Sequence, residues 1–336
     1  MRFVPYTEIG SIPNVIVDGA RTTNTLLTLS HWPKSGTPAQ LGDDTSTAIV
    51  FNYLDRPAFH VDADAVSNNH FDEDGLAGIL AMVDAAAAER HRDLIIDVAQ
   101  AGDFGIYKRR EAARIAFTLA AYADPEASPF PKALFEQPYA AMAADLYIRL
   151  LEVLPGLLDS VEPYRALWEV EDARLATSEA LLERGQITID ERDELDLAIA
   201  RLPEDLIRYP VHRFTQLRMA ECHPFALHNR TLRTRLLILQ GRRAELQYRY
   251  EGWVQMASRR PAPRVDLSGL ANELNQEESS GGLWVFDGVD QITPRLHLEG
   301  SPTTSIPIDS LVTRLEQQLR IGPPAWNPYD EEIPRP

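Results

Sequence analysis

Cysteine is nearly absent from this chain, with Cys222 the single one in 336 residues. One thiol can form no intrachain disulfide and cannot build a thiolate zinc site, which fits a reducing cytosol and an expected cytoplasmic location. Lysine is almost as scarce, at positions 34, 108 and 132 only. No apolar run approaches the roughly 18 residues of a membrane span, so no membrane association is expected. The start, Met1-Arg2-Phe3-Val4-Pro5, lacks the basic region and apolar core of a signal peptide. Positive charge is also wanting: the formal net charge is −17, which argues against sequence-blind binding of long nucleic acid. What is present is ordinary for a globular protein, 44% hydrophobic and 25% charged, and the length suggests two domains.

Pattern along the chain predicts an α/β fold. Pro13–Val17 and Leu26–Ser30 read as strands bounded by turn formers, 43–54 as a helix, and Asp64–Ser67 as a third strand. A helix over 75–90, a buried fourth strand over Asp93–Val98 and a helix over 108–122 complete a parallel-sheet domain of residues 1–125. Residues 126–210 are expected to be a helical connector, broken at Pro155-Gly156, serving as lid, spacer or homodimer surface. A smaller α/β domain is expected over 211–322, with a hairpin near 236–250, a helix over 265–274, strands near 281–286 and 294–298, and a last helix over 308–320. The proline-rich tail 323–336 reads as extended. From His228 to Arg264 nine arginines face only Glu245 and Glu251, a basic island suited to a small phosphorylated ligand.

The segment Asn68-Asn69-His70-Phe71-Asp72-Glu73-Asp74-Gly75 concentrates metal-capable side chains between a strand and an apolar helix, where α/β proteins place ligands. Alternate residues of an extended segment point the same way, so His70, Asp72 and Asp74 are expected to face a common metal. Hard oxygens with one imidazole suit Mn²⁺ or Mg²⁺. Asp103, just past the expected fourth strand, or Asp97 within it would add a ligand. Asp18 and His31 end the first two strands at the same sheet edge, and His31 is expected to touch substrate. The earlier run His60-Val61-Asp62-Ala63-Asp64 repeats the spacing without the glycine, and Asp62 or Asp64 could add a ligand.

The strand end carrying His70, Asp72, Asp74 and Gly75 resembles the first motif of the DHH phosphoesterase superfamily, which includes RecJ-type nucleases, manganese pyrophosphatases and cyclic-dinucleotide or nanoRNA phosphodiesterases. Ser258-Arg259-Arg260, Val265-Asp266-Leu267-Ser268-Gly269-Leu270-Ala271 and Ser279-Ser280-Gly281-Gly282 follow in the order of a DHHA1-like domain. The Asp-His-His triplet that names the superfamily is absent; the nearest substitutes are His223 and His228. The resemblance implies a DHH-like α/β domain, a helical middle segment and a DHHA1-like domain. It also implies a Mn²⁺- or Mg²⁺-dependent phosphoesterase. In it His70, Asp72, Asp74 and Asp103 would bind metal, and a metal-bound hydroxide would attack a small phosphorylated substrate or nucleotide. Asn69, His31, His223, His228, Arg259, Arg260, Gly281 and Gly282 would bind that substrate. The alternative is a catalytically degenerate DHH-like protein that binds a nucleotide or a partner protein; a RecJ-type nuclease is disfavoured by the −17 charge.

Overall fold

The computed structural model describes residues 1–213 and 216–330. Strands β1 (Arg2–Phe3), β2 (Asn14–Val17) and β3 (Thr25–Leu29) precede helix α1 (Ser46–Leu54), and β4 (Ala65–Ser67) leads into α2 (Glu73–Val83). The four strands form one parallel sheet in the order β1-β4-β2-β3. Side chains alternate across it. Val15, Val17 and Val66 enter the main core under the helices, while Ile16 and Ala65 meet Val4 and Ile9 on the other face. Burial on both faces is why Val15–Val17 of β2 reads as an unbroken apolar run.

The helical layer continues with α3 (Ala85–Arg90), α4 (Arg92–Phe104), α5 (Arg110–Ala123), α6 (Tyr139–Asp159) and α7 (Arg165–Glu183). Three expectations are corrected here. The helix over 75–90 is two helices, because Asp84 ends α2 and its Oδ1 accepts the Ala87 N–H that opens α3, at 2.9 Å. The expected strand over Asp93–Val98 is the first half of α4. Its β-branched run suggested a strand, but Leu94, Ile95, Val98 and Ala101 recur at helical spacing and are buried. Gly105, at φ 65, ends it in the left-handed conformation. Helix α6 runs straight through Pro155-Gly156.

The chain then turns to strands earlier than its sequence suggests. Residues 188–202, expected as helix, form β5 (Thr188–Arg192) and β6 (Leu197–Leu202). The charges of Thr188–Arg192 resemble a helix surface, yet they mark an exposed edge strand. A short antiparallel ribbon, β7 (Tyr209–Arg213) and β8 (Gln216–Ala220), precedes α8 (Pro224–His228), β9 (Arg235–Gln240) and β10 (Arg243–Tyr248). There follow β11 (Arg264–Val265), α9 (Ser268–Glu277), β12 (Leu283–Phe286), β13 (Arg295–Glu299), α10 (Ile308–Ile321) and β14 (Pro324–Trp326). A six-stranded sheet runs β12-β13-β10-β9-β6-β5, antiparallel except between β6 and β9. One of its faces packs Leu197, Ile199, Leu237 and Leu246 against Leu270, Leu274, Leu311 and Leu315 of α9 and α10. The other gives Ala198, Ala200 and Leu236 to the first core, so the two sheets share a hydrophobic interior. The tail is not loose over 324–330: β14 pairs with β11, and Tyr329 Oη donates to the Met256 carbonyl at 2.8 Å. Pro334 and Pro336 lie outside the described residues. No helix among the described residues is long and apolar enough to cross a membrane.

Candidate metal centre

Three neighbouring parallel strands, β4, β2 and β3, deliver titratable groups from their C-terminal ends. Asp18 follows β2 at φ 50, a left-handed conformation that a short polar side chain tolerates. The next residue must be glycine. A Cβ at Gly19 would lie 2.4 Å from Asn69 Oδ1 and 2.7 Å from Asn68 Oδ1. Asn69 Oδ1 accepts the Ala20 N–H at 2.8 Å and so ties the β2 and β4 turns together. His31 lies just beyond β3. His70, Asp72 and Asp74 follow β4, and the last turn of α4 brings Asp103 to the same place.

Two trios meet around Asp18. In the first, His70 Nε2 is 2.8 Å from Asp72 Oδ2 and 3.4 Å from Asp18 Oδ2. In the second, His31 Nε2 is 3.4 Å from Asp18 Oδ1 and 3.5 Å from Asp103 Oδ2. The donor atoms of Asp18, His70 and Asp72 all fall within 4.8 Å of one another, as do those of Asp18, His31 and Asp74. Each set can hold a metal ion, and the donors are oxygen and imidazole nitrogen only. The expected common face of His70, Asp72 and Asp74 needs revision, because the segment is extended only as far as Asp72. Asp72 caps α2 through the Gly75 N–H at 2.8 Å, and Asp74 is already helical. Both oxygens of Asp74 accept the Ser46 and Thr47 N–H groups at 2.7 Å, where the N-terminus of α1 favours an anion. Gly75 is required by crowding: a Cβ there would lie 2.3 Å from Asn68 Nδ2 and 2.4 Å from Tyr147 Oη.

Neighbours orient the imidazoles. His31 Nδ1 is 2.6 Å from the Asp44 carbonyl, which only an N–H can satisfy, so Nε2 is the nitrogen left facing the carboxylates. The His70 ring stacks on Trp32 at 5.0 Å. Ser46 Oγ donates to Asp18 Oδ1 at 2.7 Å. Burial disfavours protonation of His70, but the carboxylates of Asp72 and Asp18 outweigh it and hold the pKa well above the ordinary 6.5. Burial, with the Asp18 charge beside it, pushes Asp74 up to about 6. Burial also raises the Asp18 carboxyl, yet His70, His31 and Ser46 leave it below its ordinary value.

The second half of the chain closes over this cluster through residues that sequence reasoning missed. Tyr250 Oη lies 3.4 Å from His31 Nε2 and accepts the Trp32 Nε1–H at 2.9 Å. The Gln255 N–H donates to the His31 carbonyl at 2.8 Å, and Asp44 Oδ1 accepts from Ala257 and Ser258 N–H at 2.8 Å each. Burial and the surrounding carboxylates push the phenols of Tyr250 and Tyr147 well above their ordinary value. Asp44 beside a helix start was a visible signal; Tyr250, 218 residues from its Trp32 partner, had none.

The other expected site residues stand elsewhere. Asp97 caps the chain before α5, accepting from Lys108 and Arg109 N–H at 2.8 Å each, and is no ligand of the cluster; in a helix it cannot share a face with Asp103. His228 binds the Phe104 carbonyl at 2.8 Å, and His223 caps α8. Asp62 and Asp64 are exposed, and His60 bonds the Tyr53 carbonyl. Arg259 reaches Glu251 at 3.3 Å, and Arg260 lies over the Tyr329 ring. Gly282 packs against Leu298 and Glu299 at the far edge of the six-stranded sheet, with Gly281 at φ 86 before it. Of the arginine island, Arg235, Arg249 and Arg264 are buried, while Arg230, Arg242 and Arg260 are exposed. Arg249 pairs with Glu251 at 2.5 Å, Arg264 donates to the carbonyls of Gln291 and Ile292, and Arg243 pairs with Glu221 at 2.5 Å.

Residues 1–330 match a family of unknown function (DUF6687), and the chain belongs to that family. No curated protein and no solved structure matches it.

Proposed function

We propose that this DUF6687 protein is a metal-dependent phosphoesterase acting on a small phosphorylated compound or nucleotide, with Mn²⁺ or Mg²⁺ as its ion. The observation that carries the reading is the sharing of Asp18 by two sets of ligand atoms. Asp18, His70 and Asp72 would hold one ion; Asp18, His31 and Asp74, with Asp103 beside His31, would hold a second. The donor set fits hard divalent ions, and a buried group of carboxylates gains most from such a charge. When bound, the ions would supply Lewis-acid stabilisation of a phosphoryl group and a water of lowered pKa. The chain's own residues would do the rest. Asp44 and Ser46 fix the His31 and Asp18 side chains. Trp32, Tyr250 and Trp253 form an aromatic wall that keeps bulk water from the cluster. Tyr250 also lines a cavity of about 360 Å³ with Arg208, Arg249 and Arg295, where the remainder of an anionic substrate would lie.

The resemblance of the His70–Gly75 segment to the DHH motif supports the same class of reaction. The test is hydrolysis of pyrophosphate, bis(p-nitrophenyl) phosphate and a nucleotide panel with manganese or magnesium. Activity should need the ion and fall by roughly a thousandfold in Asp72→Asn. A fully active Asp18→Asn/Asp72→Asn double variant, or no hydrolysis of any phosphate ester, would contradict it.

A further inference from the structure

The two ligand sets that share Asp18 differ in what covers them. In the inner set, Asp18, His31 and Asp74 with Asp103 beside them, the His31 side chain is 0% exposed, those of Asp18 and Asp103 are 1% each, and Asp74 is fully buried. In the outer set the His70 side chain is 21% exposed and that of Asp72 8%. Solvent therefore reaches the cluster from the His70 side.

The second half of the chain closes the inner side. The Tyr250 ring meets the His31 ring edge-on at 5.6 Å, and Phe104 stands 6.0 Å from the same imidazole. Beyond Tyr250 the chain is tied down over His31. The Gln255 N–H donates to the His31 carbonyl, and Asp44 Oδ1 accepts from the Ala257 and Ser258 N–H groups, all at 2.8 Å. The carbonyl of the same Asp44 takes His31 Nδ1 at 2.6 Å. An ion between His31 and Asp74 leaves only when this cover opens, or by crossing Asp18 into the outer set. Either route sheds ligands away from water. The inner set also offers three carboxylates where the outer offers two, and their pull is stronger in an enclosed interior.

Resting on the metal reading above, we infer that the two ions are unequal. The inner one is resident, taken up as the two halves of the chain close, and is retained. The outer one exchanges with solvent and follows the supply of free ion. The segment 250–258 is the gate to the inner ion, and the Asp44 carboxylate is its latch. Regulation by ion concentration then acts through His70 and Asp72 alone.

The test is chelation of the full chain loaded with manganese, reading protein-bound metal against time after excess EDTA. Two equivalents should leave in two phases, the second roughly a hundredfold slower than the first. His70→Asn should remove the fast phase and keep the slow one. Asp44→Ala, which takes away the acceptor of two backbone N–H groups, should speed the slow phase by roughly tenfold and leave the fast one unchanged. Release of both equivalents in one phase, loss of the slow phase in His70→Asn, or an unaltered slow phase in a folded Asp44→Ala would overturn the inference and leave the metal-dependent reading standing. No uptake of manganese by the parent chain would overturn both. Release from the parent chain decides even if a variant fails to fold.

Discussion

Asp18 adopts φ 50 at the end of β2, where asparagine accepts the same backbone at little cost, so Asp18→Asn removes a charge and keeps a shape. Manganese uptake at both sets of ligands should be lost in this variant while the dichroism spectrum stays native; uptake equal to the parent chain would contradict the shared role. Proton linkage makes a second prediction. Metal binding needs a neutral His70, whose pKa is raised well above 6.5, and an ionised Asp74, pushed up to about 6. Below those values protons occupy both groups and compete with the ion. Affinity for manganese should therefore rise with pH, and binding near neutrality should release protons. Calorimetry in buffers of different ionisation enthalpy reads that release directly. An affinity flat from about pH 5.5 to 8 would contradict the assignment.

Glu278, just past α9, shows how one carboxylate organises an element boundary. It accepts from Ser305 N–H and Oγ, Thr304 Oγ1, Ser280 N–H and Trp284 Nε1–H, joining α9 to β12 and to the chain entering α10. Burial alone would raise its pKa, but these donors hold it far below the ordinary 4.5. Glu278→Ala should cost about 1–3 kcal/mol by urea unfolding near neutrality, from the donors left behind. Since the folded pKa is depressed, the contribution is full above about 4.5 and is lost on acidification. The gap between parent and variant should close in acid; a gap that widens there would be inconsistent.

Elements also differ in how far they could be read in advance. The short buried strands β2, β3 and β4 announce themselves, and the His70–Gly75 run marks their C-terminal edge as the site. Helix α4 was misread because Leu94-Ile95-Ile96 favours extended structure locally, while packing on α2 decides otherwise. Edge strand β5 was misread because its charges are those of a solvated helix. The placing of Asp18 and His31 at one sheet edge follows from their strand ends, whereas the closure by Tyr250 depends on a contact across a long stretch of chain, which no local pattern encodes.

As a molecule, the protein couples its two halves at the Asp18 cluster. The segment 250–258 touches His31 and Asp44, and the C-terminal strand holds that segment. Trp326 stacks on Trp253 at 5.7 Å, Trp253 stacks on Tyr250 at 5.9 Å, and Gln255 donates to the Pro328 carbonyl. Trp326→Ala should destabilise the chain by about 3 kcal/mol in denaturant unfolding and weaken manganese binding, although Trp326 touches none of the ligands. A variant with lowered stability and unchanged metal affinity would show that the strap serves the fold alone. The most direct measurement is anomalous diffraction from a manganese-soaked crystal. Two peaks should appear on either side of the Asp18 carboxylate, one between His70 and Asp72 and the other between His31 and Asp74. No peak there, or a single ion that leaves Asp18 uncoordinated, would contradict the shared-carboxylate centre.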